Sequence, residues 1–117
     1  MPFLLLVVER EERSRSPRDE RQRRFDSMMG FTENLKARGV LRASEALRPD
    51  SEGVRVERRA GKPIVTDGPF AESKEMVGGF FLLDCETKAQ AVAIAAECPA
   101  TEWAAVEVRE IGRCIDD

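Results

Sequence analysis

A chain of 117 residues with 42% hydrophobic and 35% charged residues fits one globular domain with a highly charged surface, and excludes a disordered or multi-domain organisation. The formal net charge of -3 favours neither nucleic acid nor a membrane surface as partner. The chain contains no histidine, which excludes Ser-His-Asp and Cys-His catalysis and every histidine metal site, so any chemistry must run on carboxylates, lysine, arginine, hydroxyls or thiols.

Residues 3–8, F-L-L-L-V-V, form a continuous apolar run bounded by charge, the pattern of a central strand buried on both faces. No basic residue precedes this run and Glu9 follows it at once, so it reads as neither a signal peptide nor a membrane span. Ser16 and Pro17 then predict an N-cap followed by proline at the first helical position, with Asp19 as a capping acid. The helix is expected over residues 17–38, with Phe25, Met28, Thr32 and Leu35 on one face, Phe31 beside them and Gly39 as the stop.

A strand is predicted over residues 40–47, followed by a turn through Pro49 and a solvent-facing hairpin carrying Val54, Val56, Ile64 and Val65 around Ala60 and Gly61. Residues 80–85 read as a further apolar strand. Thr87 and Gln90 form a capping box for a second helix ending near Pro99, whose buried stripe is expected to be Ala89, Val92, Ala93 and Ala96. Ala104, Val106 and Val108 alternate with Ala105, Glu107 and Arg109 in a last strand that keeps one face wet. The fold class is therefore α+β: one ferredoxin-like βαββαβ domain over residues 1–117 with an extra β-hairpin. Two helices cover one face of such a sheet, and the first and third long strands are apolar at both parities. A second copy is expected to cover the other face, giving a homodimer.

Cys85, Cys98 and Cys114 are odd in number and lack a C-x-x-C spacing, so they read as reduced cytoplasmic thiols, and no metal or cofactor is expected. Seven arginines lie between residues 10 and 24, but Glu9 flanks them, Glu11, Glu12, Asp19 and Glu20 interleave with them, and no aromatic residue stands among them for base stacking. This is the pattern of a solvated helix face and speaks against nucleic-acid binding.

The segment over residues 66–81, T-D-G-P-F-A-E-S-K-E-M-V-G-G-F-F, is the most distinctive. Asp67, Gly68 and Pro69 make a sharp turn that can simply link the hairpin to the next strand. Alternatively, Asp67 and Glu72 are candidate carboxylate bases, with Phe70, Lys74, Glu75, Gly78 and Gly79 around a ligand, because glycines let a ligand approach the backbone closely.

The string from Asp67 to Glu75, with Gly78-Gly79-Phe80 after it, resembles the signature of the D-G-P-F branch of the YCII-related proteins. The likeness extends to the first strand, to Arg38-Gly39-Val40-Leu41 and to Val106-Glu107-Val108-Arg109. The resemblance implies a dimeric α+β barrel. In related muconolactone isomerase-like and dehydrochlorinase-like branches it implies a histidine–aspartate pair in the cleft, and for the D-G-P-F branch a setting near extracytoplasmic-function sigma factors. This chain has no histidine for such a pair, so Asp67 takes no role from it. Two functions follow as expectations: a small-molecule enzyme or binder with a cleft near residues 67–75, or a non-catalytic dimeric module that binds a regulatory partner or metabolite.

Overall fold

The N-terminal apolar run forms β1 (Pro2–Glu9), which pairs antiparallel with β5 (Met76–Asp84) on one side and β6 (Ala105–Glu110) on the other. With β2 (Leu41–Ala46) outside β5, the sheet order is β2-β5-β1-β6, the ferredoxin-like arrangement, with α1 (Arg18–Ala37) and α2 (Lys88–Glu97) as its helices. A computed structural model of the chain describes residues 2–11, 15–70 and 75–115.

Strand parity decides which side chains meet the helices. Phe3, Leu5 and Val7 alternate along β1 and join Phe81 and Leu83 of β5, Phe31 and Leu35 of α1, and Ala91, Ile94 and Ala95 of α2 in one buried cluster. Leu5, Leu35 and Leu83 have no exposed surface at all. The opposite parity is also apolar. Leu4 stands beside Leu82 and Leu6 beside Phe80, and all four are only half-buried on the face away from the helices.

α1 begins at Arg18 with Pro17 at the N-cap and no side-chain cap, one residue later than the Ser16 cap predicted. Its end is as expected: Gly39 takes a φ of 72°, and the Val40 N–H donates back to the Leu35 carbonyl at 3.2 Å. The predicted face of α1 is only partly buried. Phe31 and Leu35 enter the core, whereas Phe25 is 58% exposed, because the first half of the helix overhangs a groove. The capping box of α2 forms, with the Gln90 N–H donating to the Thr87 hydroxyl at 3.2 Å. Its buried stripe, however, is Ala91, Ile94 and Ala95, while Ala89, Val92, Ala93 and Ala96 are exposed. With alanine on every side of this helix, the larger Ile94 settles which face turns inward.

Between β2 and β5 a short helical turn (Asp50–Glu52) leads into the hairpin of β3 (Val54–Arg59) and β4 (Lys62–Asp67), a separate two-stranded sheet. Arg59 pairs with Lys62 across the two-residue loop Ala60-Gly61, where φ is 49° and 79°, the positive pair of a type I′ turn. Gly68 closes the base of the hairpin. Its N–H donates to the Gly53 carbonyl at 2.9 Å, and a Cβ there would overlap the Asp50 carbonyl oxygen.

β5 starts at Met76, four residues before the strand predicted, and so takes in Gly78 and Gly79. Val7 pairs with Gly79 and Val8 with Val77, which makes Gly78 the extra residue of a β-bulge; its carbonyl accepts from the Leu47 N–H at 2.9 Å. Among the described residues, no helix is long and apolar enough to cross a membrane.

Candidate functional site

The overhang of α1 leaves a cavity of about 610 Å³ between that helix and the sheet. Phe25, Met28 and Met29 line it from the helix, Phe81 and Val7 from the sheet, and Trp103 closes one end after the short helix Pro99–Glu102. Gly78 and Gly79 of the bulge form part of the same lining, beside Ser44 and Ala46 of β2. A Cβ on Gly79 would come within 2.9 Å of the Glu45 carbonyl oxygen, so only glycine lets β2 and β5 run this close beside the groove.

Charge is concentrated at the tryptophan end. Arg24 lies over the Trp103 ring, 5.0 Å from its centroid, and its guanidinium is braced by Glu20 at 2.8 Å and by the Ser16 hydroxyl at 3.3 Å. The last residue of β1, Glu9, is only 9% exposed and lines the groove as well. A smaller, more polar pocket of about 320 Å³ adjoins it and shares Glu9, Arg24 and Trp103, which thus form the common wall between the two spaces. Arg21 and Lys36 add two further cations to the groove, while Glu45 borders it through its backbone, since it pairs with Phe80 on the other face of the sheet.

The residues predicted as a site are divided by this geometry. Gly78 and Gly79 lie in the groove lining. Asp67 is exposed at the end of β4 opposite Val54, and Phe70 lies under the Arg55 guanidinium, 4.1 Å from its ring centroid. Glu75 is exposed just before β5, 3.6 Å from Arg10. None of these three lines the groove, and Glu72 and Lys74 lie outside the described residues. The Gly68–Pro69 peptide bond is cis.

Sequence reasoning missed Glu9, Arg24 and the groove-facing role of Phe25 and Met29. For Glu9 a signal existed: it shares the parity of Phe3, Leu5 and Val7, so the same alternation carries it to the helix side. The arginines of α1 do pair with acids one turn earlier, Arg23 with Asp19 and Arg24 with Glu20, as a mixed-charge helix face requires.

The thiols divide by burial. Desolvation pushes the pKa of both Cys85 and Cys98 upward, with the neighbouring Asp84 adding to the effect at Cys85, whereas Cys114 is exposed. Iodoacetamide at neutral pH is therefore expected to label Cys114 in the native protein and Cys85 and Cys98 only after denaturation. Mass spectrometry of the labelled peptides checks this, and rapid native labelling of Cys98 would contradict it. Because the folded thiols hold their protons longer than the unfolded ones, their contribution to stability falls as pH rises above the ordinary thiol range. Among the described residues, no three Cys, Asp or Glu side chains gather as metal ligands.

Comparison with known proteins agrees with this architecture. A sequence profile described as the YCII-related domain matches residues 1–115. An uncharacterised protein of Rhizobium meliloti (strain 1021) is 41% identical over 54 residues, a match spanning 46% of this chain and 44% of that protein, less than half the length of either. Among solved structures, the fold is similar to that of 5-chloro-2-hydroxyhydroquinone dehydrochlorinase from Burkholderia phenoliruptrix AC1100, in its complex with 2,5-dihydroxybenzoquinone. The TM-score is 0.57 at 16% identity, covering 97% of this chain and 95% of that one.

Proposed function

The chain belongs to the YCII-related domain family, and from that premise we propose that it binds a small planar organic acid in the groove between α1 and the sheet. The observation that carries this reading is the wall made by buried Glu9, Arg24 and Trp103 at the end of a largely apolar cavity. A volume of about 610 Å³ is that of a small-molecule site, and aromatic and methionine side chains suit a flat apolar body. Three lining cations, of which Arg24 is paired with Glu20, against the single carboxylate of Glu9 favour an anionic ligand. The dehydrochlorinase of similar fold holds a dihydroxybenzoquinone, itself flat and oxygenated, which supports the same ligand shape here.

Chemistry in this groove would run on Glu9. Its carboxylate takes a proton from an acidic C–H or O–H of the ligand, and the electron pair left behind is stabilised as an enolate or phenolate beside Arg24. That assignment replaces the histidine the chain lacks with a carboxylate. A non-catalytic ligand-binding module would use the same groove without turnover.

We also place the chain in the D-G-P-F branch on the strength of residues 67–75, and read it as a cytoplasmic homodimer. The reduced cysteines accord with that compartment. The half-buried face of Leu4, Leu6, Phe80 and Leu82 supports pairing of two copies, sheet against sheet.

The test is a thermal-shift panel of aromatic carboxylates, phenols and lactones, each beside a neutral analogue. A ligand at a hundredfold excess over its Kd is expected to raise the melting temperature by roughly 10 °C. Phe25→Ala, on the exposed groove wall, should abolish the shift without unfolding the protein. Glu9→Gln should keep binding and lose any turnover. A shift that survives in Phe25→Ala and Met29→Ala would place the ligand elsewhere, and turnover by Glu9→Gln at the wild-type rate would remove Glu9 as the base.

A further inference from the structure

We propose that the β3–β4 hairpin is an intermolecular arm, which lays its apolar face on a second copy of the chain. Every residue of β4 is exposed, and so is every residue of β3 except Arg55. Register places Val54, Val56 and Val65 on one face of the ribbon, because Val56 pairs with Val65 and Val54 lies two residues along the same strand. Those three valines are 56%, 65% and 63% exposed. The ribbon's strands are held chiefly by each other, and a two-stranded ribbon is marginally stable in water without a third layer.

The shape of the chain shows the same thing. Its radius of gyration is 16.2 Å and its extents are 48 × 43 × 18 Å, whereas a compact domain of this length has a radius near ~13 Å. An extension of this kind needs something beyond its own chain to rest on.

Charge and area select a second copy as that support. The hairpin carries Arg55, Arg58, Arg59 and Lys62 against Glu57 and Asp67, a net of +2, while the whole chain is -3; the remainder is therefore -5. By the same register Arg58 and Asp67 share the valine face while Arg55, Glu57, Arg59 and Lys62 stand on the other, so the basic arm is drawn toward an acidic second copy at long range and the contact itself is apolar. Six residues per strand make a ribbon about 20 Å long and two strands about 10 Å wide, so each arm face covers on the order of 200 Å². Two arms bury roughly 800 Å² counting both sides, below the ~1,200–2,000 Å² of a stable interface. The arms therefore complete a two-fold interface centred on the outer sheet face and do not form one alone. The inference thus rests on the sheet pairing proposed above and adds the arm to it.

Sedimentation equilibrium of the full chain, the double variant Val56→Asp/Val65→Asp, and a variant with residues 54–67 replaced by a short Gly-Ser linker separates the two ideas. Circular dichroism checks that each variant is folded. The wild type is expected to be a dimer at micromolar concentration, and both variants should raise the dimer Kd tenfold or more. Amide exchange of residues 54–67 should be slow in the dimer and speed up on dilution. A monomeric wild type at 100-fold higher concentration than the assay range would overturn both the pairing and the arm. A wild-type dimer whose Kd is unchanged in the variants, or whose arm amides exchange at the same rate in monomer and dimer, would overturn the arm alone and leave the sheet pairing standing.

Discussion

Phe31→Ala is expected to destabilise the chain by about 3–5 kcal/mol. Phe31 is 8% exposed and meets Phe81 edge to ring, with centroids 5.3 Å apart and planes at 81°. It joins α1 to the centre of β5, one turn before the fully buried Leu35. The substitution removes a large apolar side chain and leaves a hole that backbone on both sides cannot close. Against a total stability of ~5–15 kcal/mol for a domain, that is at least about a fifth of the whole. Phe31→Leu keeps most of the volume and loses mainly the ring pairing, so it should cost about 0.5–1.5 kcal/mol. Urea denaturation of both variants decides the matter. A Phe31→Ala loss below 1 kcal/mol would mean that α1 is held to the sheet by other contacts.

Gly68→Ala is expected to cost about 1–3 kcal/mol, for a different reason. The position is not a left-handed one; it is a close approach of two backbones. The Gly68 N–H donates to Gly53, and a methyl group would run into the Asp50 carbonyl, which is backbone and cannot swing aside as a side-chain tip would. The chain must open the base of the hairpin to admit it. Amide exchange should therefore quicken first around residues 50–54 and 66–68, and the Arg55–Phe70 stacking just beyond should loosen. Wild-type exchange at those amides in a stably folded Gly68→Ala protein would show that the clash is relieved elsewhere.

How much of this was legible beforehand differs from element to element. β1 and its central place could be read because apolar residues at both parities have only one home in a sheet. The hairpin could be read from alternating valines around Ala60-Gly61, and the capping box of α2 from Thr87 and Gln90 alone. The start of β5 could not: glycine pairs normally mark loops, but here Gly78 is a bulge and Gly79 admits a neighbouring strand, which are relations between strands and not within one. The inner face of α2 was hidden by alanines that satisfy several faces equally.

The candidate site was less legible than the fold. Residues 67–70 are conspicuous in sequence, and the structure gives Gly68 a mechanical task at the hairpin base, while of the predicted set's described residues Gly78 and Gly79 line the groove. Phe25 looked like a core residue because helical spacing cannot distinguish a side chain over a sheet from one over a gap. Glu9 looked like the end of a strand, although its parity pointed inward.

Trp103 stands in the wall between the two cavities, capped by Arg24, and it is the sole tryptophan of a chain that contains no tyrosine. The ultraviolet emission of the protein therefore comes from one indole placed at the closed end of the groove. An occupant that displaces the guanidinium or excludes water from that ring changes the colour and intensity of this light, so the molecule carries its own optical reporter of whether the groove is filled.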